Sequence, residues 1–378
     1  MTPDLGPASY LRAALEIIER EALHADRVDW RAITRECEAL CVDAVTPPDT
    51  YPALRHALAA LGDRHSHLRL PDAGTVHRGI VGVYFTAGVV ALVFPGSPAD
   101  LAGLRPGDRI LSIQGRPVGP GVNDGLLPEM SLTLEVEQAG QRRVLPLTRA
   151  EVPVVPPAPQ GRLVAPGTGL VTLPDCDLGG TLADGCPYEE RVRGLLLDLA
   201  GRGATRWVVD LRRNLGGNMW PMLAGIGPLA GEGELGAFVV GNERCPWCYE
   251  NSGALAGDEV LRRVEGPVLH PLPEHIPVAV LTSPLTASSG EILTLSFLGR
   301  SGTRLFGEAT RGLTTSNSLY ELSDGAALLL ATVHDADRTG RVYTGPVEPD
   351  VPIRTDWAEF QTGQDPVLNA ALEWLGGV

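Results

Sequence analysis

Three hydrophobic patterns follow one another along the chain. In residues 9–62 apolar side chains recur at helical spacing: Leu11, Leu15, Ile18 and Ala22 fall on one helix face. Asp29 stands as N-cap before "WRAITRECEALCVDA", and "YPALRHALAALG" predicts a third helix ending at Gly62. A polar stretch, "DRHSHLRLP", comes directly after that helix end. Between 79 and 149 the pattern changes to short β-branched runs, "GIVGVYF" and "VVALVF", then a hairpin in "LTLEVEQAGQRRVLPLTR". In between, Ser97 caps a helical turn, Pro98 opens it and Gly103 ends it.

The proline-rich "VPVVPPAPQGRLVAPG" (152–167) predicts an extended linker. Beyond it strands ("GLVTL", "RWVVDL", "PVAVLT", "TRLFGE") alternate with helices such as "PYEERVRGLLLDLAGRG". That alternation predicts an α/β core with a mostly parallel sheet and crossover helices. "SNSLYELSDGAALLLATVHD" adds an antiparallel hairpin, and Asp365 caps a last helix. The expected organisation is a helical region with a histidine-bearing loop (1–76), a β-rich module (77–150), a linker (151–168) and the α/β core (169–378).

Composition removes whole classes of function. The net charge of −15 argues against nucleic-acid or anionic-membrane partners, and no apolar run is long enough to span a membrane. The first residues lack the basic start and apolar stretch of a signal peptide, so a cytoplasmic location is expected. All 31 basic residues are arginine. Without lysine there is no Walker lysine, no Schiff-base lysine and no Ser–Lys dyad. The "CPWC" at 245–248 has redox or half-zinc spacing but no second pair, and is read as structural.

Chemistry gathers where an α/β sheet places it, at the carboxyl ends of strands. "DLRRNLGGN", "TASSGE" and "GEATRGLTTSN" each follow a predicted core strand. Gly-Gly exposes backbone N–H groups of the kind an oxyanion hole needs, and a serine opening a helix gains from the helix dipole. Each stretch also has a plain reading: a glycine turn tied down by Arg212 and Asn214, and a helix start capped by Ser or Thr.

These stretches, with "LGDRHSHL" and "GPVEPDV", resemble the tail-specific (C-terminal-processing) serine protease family. Residues 79–149, above all "SPADLAGLRPGDRILSIQGRPV", resemble a PDZ domain. The resemblance implies a serine endopeptidase with Ser288 as nucleophile, three residues before Glu291. It implies an oxyanion hole from the N–H groups of Ser289 and of Gly216 or Gly217. The lysine of Ser–Lys members falls at Leu313 here, so the chain is similar to the Ser–His branch, with tricorn and nisin-resistance types, and the base is assigned to His65. Orienting partners left open are Glu308, Glu348, Asp63 and Ser66, or a simple dyad. The PDZ resemblance implies peptide recognition at Gly79, Ile80, Val81 and Gly82, by strand addition to a sheet edge. The substrate is a protein or peptide, and neither metal nor cofactor is called for. Unperturbed imidazole predicts activity rising at about pH 6–7.5. The competing readings are an esterase-like α/β hydrolase, which would need His334 after the serine, and a catalytically decayed peptide-binding scaffold.

Overall fold

The computed structural model describes residues 6–71, 81–118, 131–148 and 157–376. The three expected N-terminal helices run Pro7–Glu21, Trp30–Leu40 and Tyr51–Ala60. Asp29 accepts the Ala32 N–H as N-cap, and Gly62 takes the left-handed conformation (φ +72°) that stops the third helix. Leu11, Leu15, Ile18, Cys37, Leu54 and Leu58 form a core that closes on Leu328 and Leu330 of the strand Ala327–Asp337. The helical region is therefore welded to a sheet from the far end of the chain.

The middle module has the expected strands, with edge strand Val83–Thr86 followed in the sheet by Val89–Val93, Arg109–Ile113, Ser131–Gln138 and Gln141–Thr148. Its "AGQ" hairpin turns through Ala139 and Gly140, both at positive φ, which matches the twist of the paired strands. Ser97 caps the short helix Pro98–Leu101.

The α/β core holds a six-stranded sheet in the order Val351–Pro352, Thr303–Gly307, Val278–Thr282, Arg206–Asp210, Thr168–Thr172, Gln160–Ala165. The first five strands are mutually parallel, and the last pairs antiparallel. Period-2 alternation decides its two faces. Trp207 and Val209 pack with Val192, Ile226 and Phe297 of the helices on one side; Val208, Ala279 and Leu281 meet Val367, Leu368 and Ala371 of the helix Pro366–Gly376 on the other.

Two features differ from the sequence expectation. Gln160–Ala165, read as linker, is the antiparallel edge strand of this sheet; residues 151–156 lie outside the described residues. The core also contains a second, antiparallel sheet, so "mostly parallel" holds for only one of its two sheets. Five long or short hairpin partners (Gly233–Val240, Glu243–Glu250, Gly253–Ala256, Glu259–Arg263 and Val342–Tyr343) join Thr315–Glu321 and Ala327–Asp337 in it. Its eighth strand is His67–Arg69, which pairs with Ala327–Leu329. That pairing carries residue 65 from the N-terminal region to the ends of the parallel strands.

Candidate active site

The strand Val278–Thr282 ends in a turn that leads into the helix Ser289–Phe297. Ser288, immediately before the helix, has φ +53° and ψ −120°, a region that disfavours any side chain. Surrounding bonds hold it there. Its N–H donates to Glu291 Oε2 at 2.9 Å, and the Ala287 N–H donates to Asn214 O at 3.0 Å. Buried Glu291 also receives Thr310 Oγ1 and the N–H groups of Gly312 and Leu313, at 2.5, 2.8 and 2.8 Å. Burial raises its pKa while these donors pull it down. The carboxylate thus locks the serine turn to the 310–313 loop. Gly290 has no room for a side chain, because a Cβ would lie 2.7 Å from Asn214 O.

Opposite stands His65, only 8% exposed. Its Nε2 lies 3.1 Å from Ser288 Oγ, and its Nδ1 lies 2.8 Å from Thr315 Oγ1. For Nε2 to accept the serine proton, Nδ1 must carry the ring hydrogen and donate it to the threonine hydroxyl. Burial lowers the His65 pKa to about 4; His67 pushes the same way and Asp63 opposes. The ionisation expected at pH 6–7.5 therefore moves down, because desolvation penalises the imidazolium and no carboxylate contacts the ring to offset it.

The glycine loop follows the strand Arg206–Asp210. Fully buried Arg212 forks onto Asp210 and Asp365, with nitrogen–oxygen distances of 2.8–3.0 Å. Asn214, also buried, donates to Leu173 O and Pro174 O and accepts the Gly216 N–H at 3.0 Å. Both residues tie loops, as the plain reading had it. Gly216 packs against Ser288, since a Cβ there would lie 2.9 Å from Ser288 Cβ. Gly217 (φ +97°) rides on Cys176, where a Cβ would lie 1.8 Å from the carbonyl oxygen. Its own carbonyl points the other way and accepts Ser289 Oγ at 2.5 Å. The Gly216 N–H is thus spent on Asn214. The N–H groups of Gly217 and Ser289 have no hydrogen-bond acceptor among the described residues; Ser289 follows Ser288 directly, and Gly217 follows Gly216, which packs against Ser288.

Other residues singled out in the sequence do not reach the imidazole. Glu308 accepts the Thr355 N–H, and Glu348 is exposed. Asp63 spends its carboxylate on the N–H groups of His65 and Ser66 and on Ser66 Oγ. Ser66 Oγ in turn accepts the Ala331 N–H, so it fastens the loop to the sheet. His334 faces His24, with ring centroids 5.8 Å apart, rather than Ser288. Cys245 and Cys248 are free, three apart on a strand, one exposed and one buried. In the PDZ-like loop, Gly79 and Ile80 lie outside the described residues. The carbonyls of Val81 and Gly82 accept Ala99 N and Phe94 N, and Gly82 (φ +80°) abuts Ser97 too closely for a Cβ. Thr315 was missed. The one signal for it was the hydroxyl-rich "TTSNS" just after Leu313.

Comparisons with known proteins agree with this architecture. Residues 167–353 match the model of peptidase family S41, and residues 89–124 match that of the PDZ domain. The S41 match contains Ser288 and the glycine loop but not His65. Among curated relatives, the nisin-resistance protein of Lactococcus lactis subsp. lactis is 30% identical over 170 residues, 44% of this chain and 49% of that protein. The chain thus spans about half the length of that relative. The carboxyl-terminal-processing protease of Synechocystis is 26% identical over 359 residues, 87% of this chain and 77% of that protein. Two solved structures share the fold. A lipoprotein from Streptococcus agalactiae superposes with TM-score 0.63 at 19% identity, covering 100% and 98% of the two chains. The photosystem II D1 C-terminal processing protease superposes with TM-score 0.59 at 20% identity, covering 93% and 94%.

Proposed function

Since the chain belongs to peptidase family S41, we propose that it is a serine endopeptidase of the C-terminal-processing type, acting through Ser288 and His65 on protein or peptide substrates. The observation that carries this reading is the 3.1 Å approach of His65 Nε2 to Ser288 Oγ at a serine held in a strained backbone conformation. Ser288 Oγ attacks the scissile carbonyl while its proton passes to His65 Nε2. The developing oxyanion is received by the Gly217 and Ser289 N–H groups. His65 then hands the proton to the leaving amine, and a water activated by the same imidazole hydrolyses the acyl-enzyme. Thr315 keeps the ring in the tautomer this requires. Peptide recognition by the PDZ domain fits the outer edge of Val83–Thr86, which pairs with another strand on one side only among the described residues.

The test is covalent labelling of Ser288 by a fluorophosphonate together with hydrolysis of fluorogenic peptides. Ser288→Ala and His65→Ala should each lose several orders of magnitude in hydrolysis, whereas His334→Ala keeps labelling. Peptide hydrolysis by Ser288→Ala at the unsubstituted rate refutes the assignment, and labelling that depends on His334 favours the esterase arrangement.

A further inference from the structure

Beside the loop that carries His65 lies an open cleft of about 400 Å³ whose lining includes Arg55, Arg64, Ser66 and His67. Arg55 and Arg64 are exposed, and among the described residues neither makes a hydrogen bond or ion pair. Exposed Arg20, Arg105, Arg202 and Arg244 find carboxylates, whereas exposed Arg12, Arg27, Arg116 and Arg354 show none among the described residues; what sets Arg55 and Arg64 apart is that both line one cleft. The acid nearest in sequence cannot neutralise them, because Asp63 is turned inward onto His65 N, Ser66 N and Ser66 Oγ. His67 anchors its Nδ1 on the His65 carbonyl at 3.0 Å, which leaves Nε2 for the cleft.

The neighbouring backbone also lacks a partner. His67–Arg69 pairs with Ala327–Leu329 on one side, and no strand covers its other edge among the described residues. An uncovered edge accepts an extended peptide as an added strand, with alternate side chains directed to pockets beside it. Arg64 and Ser66 flank His65 in sequence, so the cleft is lined by the same loop that carries His65.

We infer that this cleft is a subsite that binds a carboxylate of the peptide substrate through Arg55 and Arg64. The occupant is an extended segment lying along His67–Arg69. The surrounding molecule, at net charge −15, repels acidic peptides, so their capture needs a local cationic site of this kind. The inference rests on the peptidase reading for its substrate but not for its test.

Binding is measured with the Ser288→Ala protein, so that peptides stay intact. Fluorescein-labelled peptides carry Glu or Gln at each position in turn, as free acids and as C-terminal amides, at about 50 and 300 mM salt. The Glu peptide should bind about two- to thirtyfold tighter than its Gln partner at one position, as two exposed charge pairs provide. The gap should narrow at the higher salt, vanish in Arg55→Gln/Arg64→Gln and reverse in Arg55→Glu/Arg64→Glu. A gap between free acid and amide instead assigns the carboxylate to the peptide C-terminus. Absence of both gaps, or a gap that survives the Gln double variant, overturns the inference. Hydrolysis of neutral peptides by the unsubstituted protein would then leave the peptidase reading standing. Conversely, a clear binding gap without hydrolysis of any peptide removes that reading and keeps the subsite.

Discussion

Replacing Thr315 by Asp tests the electrostatics of the histidine directly. In the native site Nδ1 meets a neutral hydroxyl at 2.8 Å, and burial holds the pKa at about 4. A carboxylate in that place puts opposite charges roughly 4 Å apart, worth about 4 kcal/mol at an effective dielectric of about 20. At about 1.4 kcal/mol per pKa unit this is roughly three units, less what the new carboxylate loses by its own desolvation. The net expectation is a His65 pKa of about 5–7 in Thr315→Asp. The assay is the pH dependence of fluorophosphonate labelling and of kcat/KM, together with NMR titration of the His65 ring. In the proposed mechanism the neutral imidazole is the active form, so the unsubstituted protein should be near its plateau at about pH 5. At the same pH the variant should lie about 2- to 100-fold below its own plateau, according to where in that range its pKa falls. Thr315→Val, which strands the ring N–H, should keep the low ionisation but lower the plateau by about tenfold. A native limb at pH 6–7, or an identical limb in Thr315→Asp, refutes the argument that burial without a carboxylate sets this base.

Two further expectations concern stability. Arg212→Met leaves Asp210 and Asp365 buried without their guanidinium, and should cost about 3–5 kcal/mol by denaturant unfolding. Asp335 is buried with Oδ2 unpartnered and a pKa raised by desolvation to about 8. Its folded-state pKa thus exceeds the unfolded value, so its ionisation erodes stability progressively as pH rises from about 4 to 8. Asp335→Asn should therefore melt higher than the unsubstituted protein, with a margin of up to a few kcal/mol that widens between about pH 5 and 9 and is small in acid; a constant margin across that range contradicts the assignment.

What the sequence determined by itself was whatever depends on near neighbours in the chain. The Asp29, Ser97 and Asp365 caps, the stops at Gly62 and Gly103, and the parallel core strands are readable because capping, positive φ and strand alternation act within a few residues. Ser288 and the glycine loop were legible for the same reason: strand ends and the helix start are local features, and family order links them. The tertiary structure alone decided what meets across long separations. His65 and Thr315 are 250 residues apart and touch because His67–Arg69 and Thr315–Glu321 flank the same strand, Ala327–Asp337. No spacing rule encodes that pairing. Nor could composition tell that the Gly216 N–H is consumed by Asn214, that Ser66 faces the sheet instead of the imidazole, or that Asp63 is spent on backbone. Burial is likewise a property of the assembled fold: the same imidazole that ionises near pH 6.5 in water is held at about 4 because layers from both ends of the chain exclude solvent from it.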